Sequence, residues 1–310
     1  MELRQEPLTN QLPSGVDLRV QRETSPFRAL VFLLFLPSVV LVLAFSYYPA
    51  IRSIIGSLTS WNGFNPPQFV GFQNYAQYFA NPVLPVELRN LVILVFGGIL
   101  IALIFPFLGA ELVHLIYPRW LQGIIKYLLV IPMVIPVVVV INVWAYLLSP
   151  SAGLVDGFLG LFHVPPIQWF SDPKTALLSI LLIGFPWVSG LAFLIFLAGV
   201  QGISTDIFDA VKIDGASVMR RIRQIDLPLI IPQIRFVVVI VGVAMVQNFI
   251  PILLLTDGGP GNATMVPGLD MYQAAFSSSE YGYGMAIGTL LFLGLLIFTF
   301  LILRFLKPRT

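Results

Sequence analysis

The sequence predicts an all-α fold, a polytopic membrane protein with about six membrane-spanning helices. Three observations lead there. Only 10% of the 310 residues are charged while 57% are hydrophobic. A soluble domain carries roughly a quarter charged residues, so this chain cannot cover its surface in water. Successive Lys, Arg, Asp and Glu residues also leave six charge-free intervals: 29–51, 90–110, 127–155, 175–205, 236–256 and 281–303. The shortest two hold 21 residues, and a helix rising about 1.5 Å per residue needs roughly 20 to cross a hydrocarbon core about 30 Å thick. Finally, with the amino terminus inside, six crossings place 14 Lys and Arg residues on the inner side and only Arg52, Arg89 and Lys174 on the outer side. That asymmetry satisfies the positive-inside rule.

In chain order, residues 1–28 are polar and mixed in charge and read as a cytoplasmic tail. The apolar run that follows is too long and too late for a signal peptide, so it reads as an uncleaved first span, 29–51. A membrane domain then occupies 29–306, with further spans near 90–115, 127–148, 175–200, 236–256 and 281–303. Between the first two spans lies an outer segment rich in Asn, Gly, Pro and aromatics, suited to an interfacial cap. The outer segment after span three carries Pro165, Pro166 and Trp169 and reads as a short amphipathic helix followed by a turn. The outer segment after span five opens on TDGGPGNAT and continues as a surface helix. Prolines fall in or beside spans at Pro37, Pro106, Pro132, Pro136, Pro186 and Pro251. Kinked helices around a cavity would account for them, although membrane helices also tolerate proline for no such reason.

Several chemistries are excluded or left without support. The chain has no cysteine, hence neither a disulfide framework nor a thiolate metal site. A net charge of +2, with scattered basic residues, suggests no nucleic-acid partner. None of the four lysines follows a glycine, so there is no G-K-[ST] phosphate loop. Glu111 and His114 share the three-residue spacing of di-iron bundles, but such sites need two copies and further carboxylates. They read as structural. Gly284 and Gly288 form a small-xxx-small pair that could serve helix packing.

The longest inner connection, 201–232, has the clearest local grammar. Ser204 or Asp206 can cap a short helix with Ile207, Phe208 and Val211 along its apolar edge, and Gly215 after Asp214 supplies a left-handed stop. Ser217 can cap a second helix carrying Val218, Ile222 and Ile225 on one face, ended at Leu227–Pro228. Two short helices at an angle suit docking into a groove on a cytoplasmic partner, or equally a hairpin lying on lipid headgroups.

The string DAVKIDGASVMRRIRQIDLP, residues 209–228, resembles the "EAA" loop of permease subunits in bacterial ABC importers. Asp209 stands where Glu is usual and Val211 where a second Ala is usual; Ala210, Asp214, Gly215, Ala216, Leu227 and Pro228 match. The segments LLLTDGGPGNAT at 253–264, YQAAF at 272–276, IPMVIP at 131–136, Trp144, WFSDPKTA at 169–176 and GFPW at 184–187 resemble the carbohydrate-uptake branch, in particular the first permease subunit of maltose-type importers. The likeness runs over roughly residues 30–305.

That resemblance implies a type I importer fold in the inner or plasma membrane of a bacterium or archaeon, with both termini cytoplasmic. It implies a second permease subunit, a paralogue, two ATPase subunits docked on the coupling residues named above, and an extracytoplasmic solute-binding protein that delivers a carbohydrate. ATP and Mg belong to the partner ATPases, no cofactor to this chain, and the chain is not itself an enzyme; membrane lipid surrounds it. By alignment, Asn248 and Trp187, following Gly184, fall on sugar-contacting positions, and Met133 falls where an aromatic occurs. Gln247, Asn142 and Tyr146 join the candidate path from their polarity inside spans, which would equally suit interhelical hydrogen bonds. The alternatives are a permease for glycerol phosphate, peptides or amino acids, or a secondary transporter. The last would need clustered intramembrane charges, and the six intervals contain none.

Overall fold

A computed structural model describes residues 26–116, 118–150, 152–186 and 189–305. Most of the expected tail therefore lies outside the described residues. The chain divides between Ile51 and Arg52 into two compact units.

The first unit holds α1 (Pro26–Val42), a π-helical turn (Leu43–Tyr47) and the start of α2 (Tyr48–Gly56). Leu30–Gly56 forms a 27-residue apolar run with no buried residue. A helix without a polar stripe has backbone bonds satisfied internally and side chains that match lipid on all sides.

In the second unit a short antiparallel hairpin, β1 (Thr59–Ser60) with β2 (Gln68–Phe69), pairs Thr59 with Phe69. Helix α3 (Gln73–Phe79) leads to α4 (Leu84–Leu115), a continuous helix of 32 residues. Next come α5 (Arg119–Val130), a tight turn at Ile131–Val134, α6 (Val137–Leu147) and α7 (Leu154–Gly160). Helices α8 (Ala176–Leu181), α9 (Gly190–Gln201), α10 (Thr205–Ile213) and α11 (Val218–Arg221) follow. A π-helical turn (Ile222–Asp226) and α12 (Leu227–Leu229) then feed α13 (Ile231–Gln247), α14 (Ile250–Leu255), α15 (Pro267–Tyr272) and α16 (Tyr281–Phe305).

The core is built where α4, α9 and α13 cross. Ala102, Phe107, Ala110 and Val113 of α4 meet Ala192, Phe193, Phe196 and Val200 of α9 and Val237, Val238 and Val241 of α13. Small residues let these backbones approach, as membrane helices require when no hydrophobic difference drives association. A side chain at Gly242 would collide with the Phe298 ring of α16.

Four of the six expected spans are apolar helical runs: Leu30–Gly56, Leu84–Leu115, Ile231–Leu255 and Tyr281–Phe305. The other two expected stretches are not single helices. Over 127–148, α5 with its tight turn meets α6 at an angle of 100°, because Pro132 and Pro136 withhold the amides that a straight helix needs. Over 175–200, α8 ends before a turn at residues 182–186, where Gly184 has φ +85 and Phe185–Pro186 is cis, and α9 starts at Gly190.

The leading ends of α4 and α16 carry two of the segments expected outside, at the Gly-rich turn and at Trp61. Asn90 donates both amide protons, to the Ala263 and Met265 carbonyls at 3.0 and 2.9 Å, and thereby ties the Gly-rich turn to α4. The helix after that turn is not a surface helix as expected. Leu269 of α15 is fully buried, and with Met265 and Val266 it packs on Leu94, Leu177, Ile180 and Ile252. Gly284 and Gly288 face Met271 and Ala275, so their lack of a side chain admits α15 and the turn that follows it. The turn after α7 is held by Asp156, which accepts from the Ile167 amide and from Trp169 Nε1 at 3.1 and 2.8 Å.

Candidate functional site

The breaks converge. A cavity of about 540 Å3 is lined at the α5–α6 bend by Pro132, Met133, Ile135 and Val137, at the α8–α9 break by Ile183, Gly184 and Ser189, and at the α13–α14 break by Asn248 and Pro251. Trp144 and Ile141 of α6 and Leu94 and Gly98 of α4 also line it. Broken helices are tolerated inside a membrane where they line a cavity that can satisfy the freed backbone groups. Four of the six span prolines stand at or beside these breaks: Pro132, Pro136, Pro186 and Pro251. Pro37 and Pro106 lie within α1 and α4.

The lining is apolar apart from a few groups, among them the Asn248 amide, the Ser189 hydroxyl and the Trp144 indole, and no lining residue is charged. Ser189 also caps α9 by accepting from the Ala192 amide at 3.2 Å. Of the path candidates, Asn248, Gly184 and Met133 come together here. Asn142, Tyr146 and Gln247 are exposed and outside the lining, and Trp187 is outside the described residues. Trp144 and Ser189 were not path candidates from the sequence. Both lie within eight residues of a span proline, which is the signal that could have found them.

The second candidate surface is the 201–232 segment. After Gln201 the chain bends by 70° into α10. Ser204 caps α10 by accepting from the Asp206 amide at 3.3 Å, and Ser217 caps α11 through the Arg220 amide at 3.4 Å. Gly215 has φ +64. The Ala216 amide reaches the Val211 carbonyl at 3.3 Å and the Gly215 amide the Lys212 carbonyl at 3.1 Å, the paired bonds of a glycine C-cap. Phe208 and Val211 are buried, whereas Ile207, Asp209, Ala210, Ile213, Asp214, Gly215, Val218 and Met219 are exposed. Among the coupling candidates, Ala216 and Leu227 are half-buried, Leu227 packs on the main core, and Pro228 is exposed. Asp209 accepts from Lys212 at 2.9 Å in a solvated pair. The apolar edge expected to hold Ile207 with Phe208 and Val211 is thus split between the inside of the protein and its surface.

Beneath the loop, Arg221 donates to Glu111 of α4 and to Asp226. Glu111 and His114 therefore serve this contact and the ring stacking of His114 on Phe208 at 4.8 Å. Sequence reading left Arg221 among the orientation-setting arginines, because its partner Glu111 is 110 positions away.

Residues 98–310 match the family described as binding-protein-dependent transport system inner membrane component. The chain belongs to this family. A probable ABC transporter permease protein of Pyrococcus horikoshii is 30% identical over 280 residues, covering 88% of this chain and 94% of that one. The trehalose/maltose transport system permease of Thermococcus litoralis is 28% identical, covering 88% and 92%. The diacetylchitobiose uptake system permease of Streptomyces coelicolor is 28% identical, covering 89% and 82%. A chain of a bacterial ABC transporter that imports alginate superposes with a TM-score of 0.79 at 21% identity, over 92% of this chain and 97% of that one. That likeness establishes the fold of an ABC importer permease for the described helices.

Proposed function

We propose that this family member is the membrane-spanning subunit of an ATP-driven importer that takes up a carbohydrate. The observation that carries the substrate class is the cavity lining: a mostly apolar wall with an indole, an amide and a hydroxyl, and no charge. Sugars present hydroxyls for a few placed hydrogen bonds and C–H faces for an aromatic ring. A phosphate ester or a free amino acid would call for a fixed opposite charge in so apolar a site. Two relatives are named for uptake of trehalose or maltose and of diacetylchitobiose, which supports the same class.

In this reading the 201–232 segment is cytoplasmic and presents its exposed turn at Asp214–Gly215 to an ATPase subunit, which binds ATP and Mg. A second permease subunit closes the open side of the cavity, and a solute-binding protein delivers the sugar from outside. Hydrolysis drives the loop, and the spans rock around the cavity between two arrangements. The chain itself carries out no chemical step. Its work is to hold the sugar between Trp144 and Asn248 while access alternates.

The test is ATP-driven uptake by the complete transporter in liposomes. Gly215→Asp is expected to keep the protein membrane-inserted yet abolish uptake, since Asp tolerates the left-handed φ of +64 better than most residues and a Cβ added there meets nothing within 4 Å. Undiminished uptake by that variant would refute the docking role. A sugar panel bound to the delivery protein names the solute.

A further inference from the structure

The clamped base of the exposed turn and the cavity are separated by about 20 Å of α4, and a loop of short helices does not transmit force by itself. Helix α11 has four residues, and a π-helical turn and a three-residue helix follow it. A glycine in open space at the head of this segment invites hinging there. What opposes hinging is Arg221. Its Nη2 donates to Glu111 Oε2 at 2.7 Å and its Nε to Asp226 Oδ2 at 2.8 Å. Its guanidinium carbon lies 5.2 Å from the ring centroid of Phe208. The arginine side chain is 12% exposed, and the two carboxylates 3% and 0%.

These groups come from four elements: Glu111 from the Leu115 end of α4, Phe208 from α10, Arg221 from α11, and Asp226 from the turn that feeds α13. A planar guanidinium held by two different nitrogens and stacked on a ring fixes angle as well as distance, which an ammonium does not. The solvated Asp209–Lys212 pair on the same loop, 65% and 69% exposed, offers no comparable hold. From Glu111 the continuous α4 runs 13 residues, about 20 Å, to Gly98 in the cavity wall.

We propose that Arg221 is a positioning residue of the transport cycle. It clamps the loop to α4 and to the start of α13, so that movement of the exposed turn reaches the cavity as rigid-body motion instead of being absorbed within the loop. This deepens the coupling role given to the 201–232 segment and rests on it.

The experiment uses the complete transporter in liposomes with Val137→Cys, in a chain that has no cysteine of its own, as a reporter on the cavity wall. The rate of its labelling by N-ethylmaleimide is measured with and without ATP, beside ATP hydrolysis and co-purification of the partners. Two clamp variants are compared: Arg221→Lys, which keeps the charge, and Arg221→Met with Glu111→Gln and Asp226→Asn, which leaves no buried charge unpaired. The expected result is that both assemble and hydrolyse ATP at the parental rate while the several-fold ATP response of Val137→Cys disappears. An unchanged response in assembled clamp variants overturns the clamp. If Gly215→Asp still abolishes the response in that case, the docking reading survives the clamp's failure; if Gly215→Asp leaves the response intact, docking itself has failed. Loss of assembly in both clamp variants makes Arg221 a folding residue only and likewise overturns the proposal.

Discussion

Asn248 ends α13 with φ −89 and ψ 77, outside helical geometry, and so its amide is presented to the cavity rather than to the next turn. A neutral hydrogen bond contributes about 0.5–1.5 kcal/mol net, up to roughly a tenfold change in binding. Asn248→Ala is expected to lower the apparent affinity for transported sugar by up to that factor. Tyr146→Phe, at a residue 65% exposed and outside the lining, is expected to leave it unchanged. Uptake at varied sugar concentration checks both. At Arg221 the cost of a single change is structural as well. Arg221→Met alone strands Glu111 and Asp226, and breaking a buried pair costs about 3–5 kcal/mol, so this variant is expected to be poorly recovered from membranes where the charge-neutral triple variant is not. Gly215 was legible from its place after Asp214 in a capped helix. Arg221 was not, because charge counting sees an arginine near a membrane end and has no means of pairing it with a carboxylate 110 residues earlier.

Among the elements, charge-free length located the helices that run unbroken, since crossing hydrocarbon requires length and internal backbone bonding and little else. Length could not say that residues 135–136, 182–186 and 248–249 break their helices toward one cavity; Pro136, Pro186 and Pro251 marked the places without marking the direction. Pro136→Ala is expected to extend α6 toward α5, fill the cavity mouth and reduce uptake, with the helix content by circular dichroism slightly raised. Helix α15 was misjudged because Asp270, Tyr272 and Gln273 make it look like a solvated helix, while Leu269 and Val266 anchor it within the protein. Burial, and then the neighbouring Glu280, hold the Asp270 carboxyl above its ordinary range. A carboxyl whose pKa is raised on folding favours the folded state while protonated, and that contribution is lost as pH rises through the raised value. Asp270→Asn is therefore expected to raise the thermal midpoint at pH 8, with the gap over the parent closing as pH falls toward the ordinary carboxylate range near 4.

At the scale of the whole molecule, two surfaces at different levels of α4 have to act together: an uncharged cavity bordered by Leu94 and Gly98, and an exposed turn clamped near Glu111. The composition and the fourteen-to-three division of basic residues predicted which end faces the cytoplasm. The central claim is that the Asp214–Gly215 turn lies on the cytoplasmic face and is covered by an ATPase subunit. It is tested most directly by single cysteines in this cysteine-free chain, at Ile213 and at Leu161, which are 86% and 74% exposed. With a membrane-impermeant maleimide, Ile213→Cys is expected to label only from the cytoplasmic side and to be protected when the ATPase subunits are bound, while Leu161→Cys labels only from outside. Labelling of Ile213→Cys from the outer side, or labelling that bound ATPase subunits leave unchanged, would contradict the account.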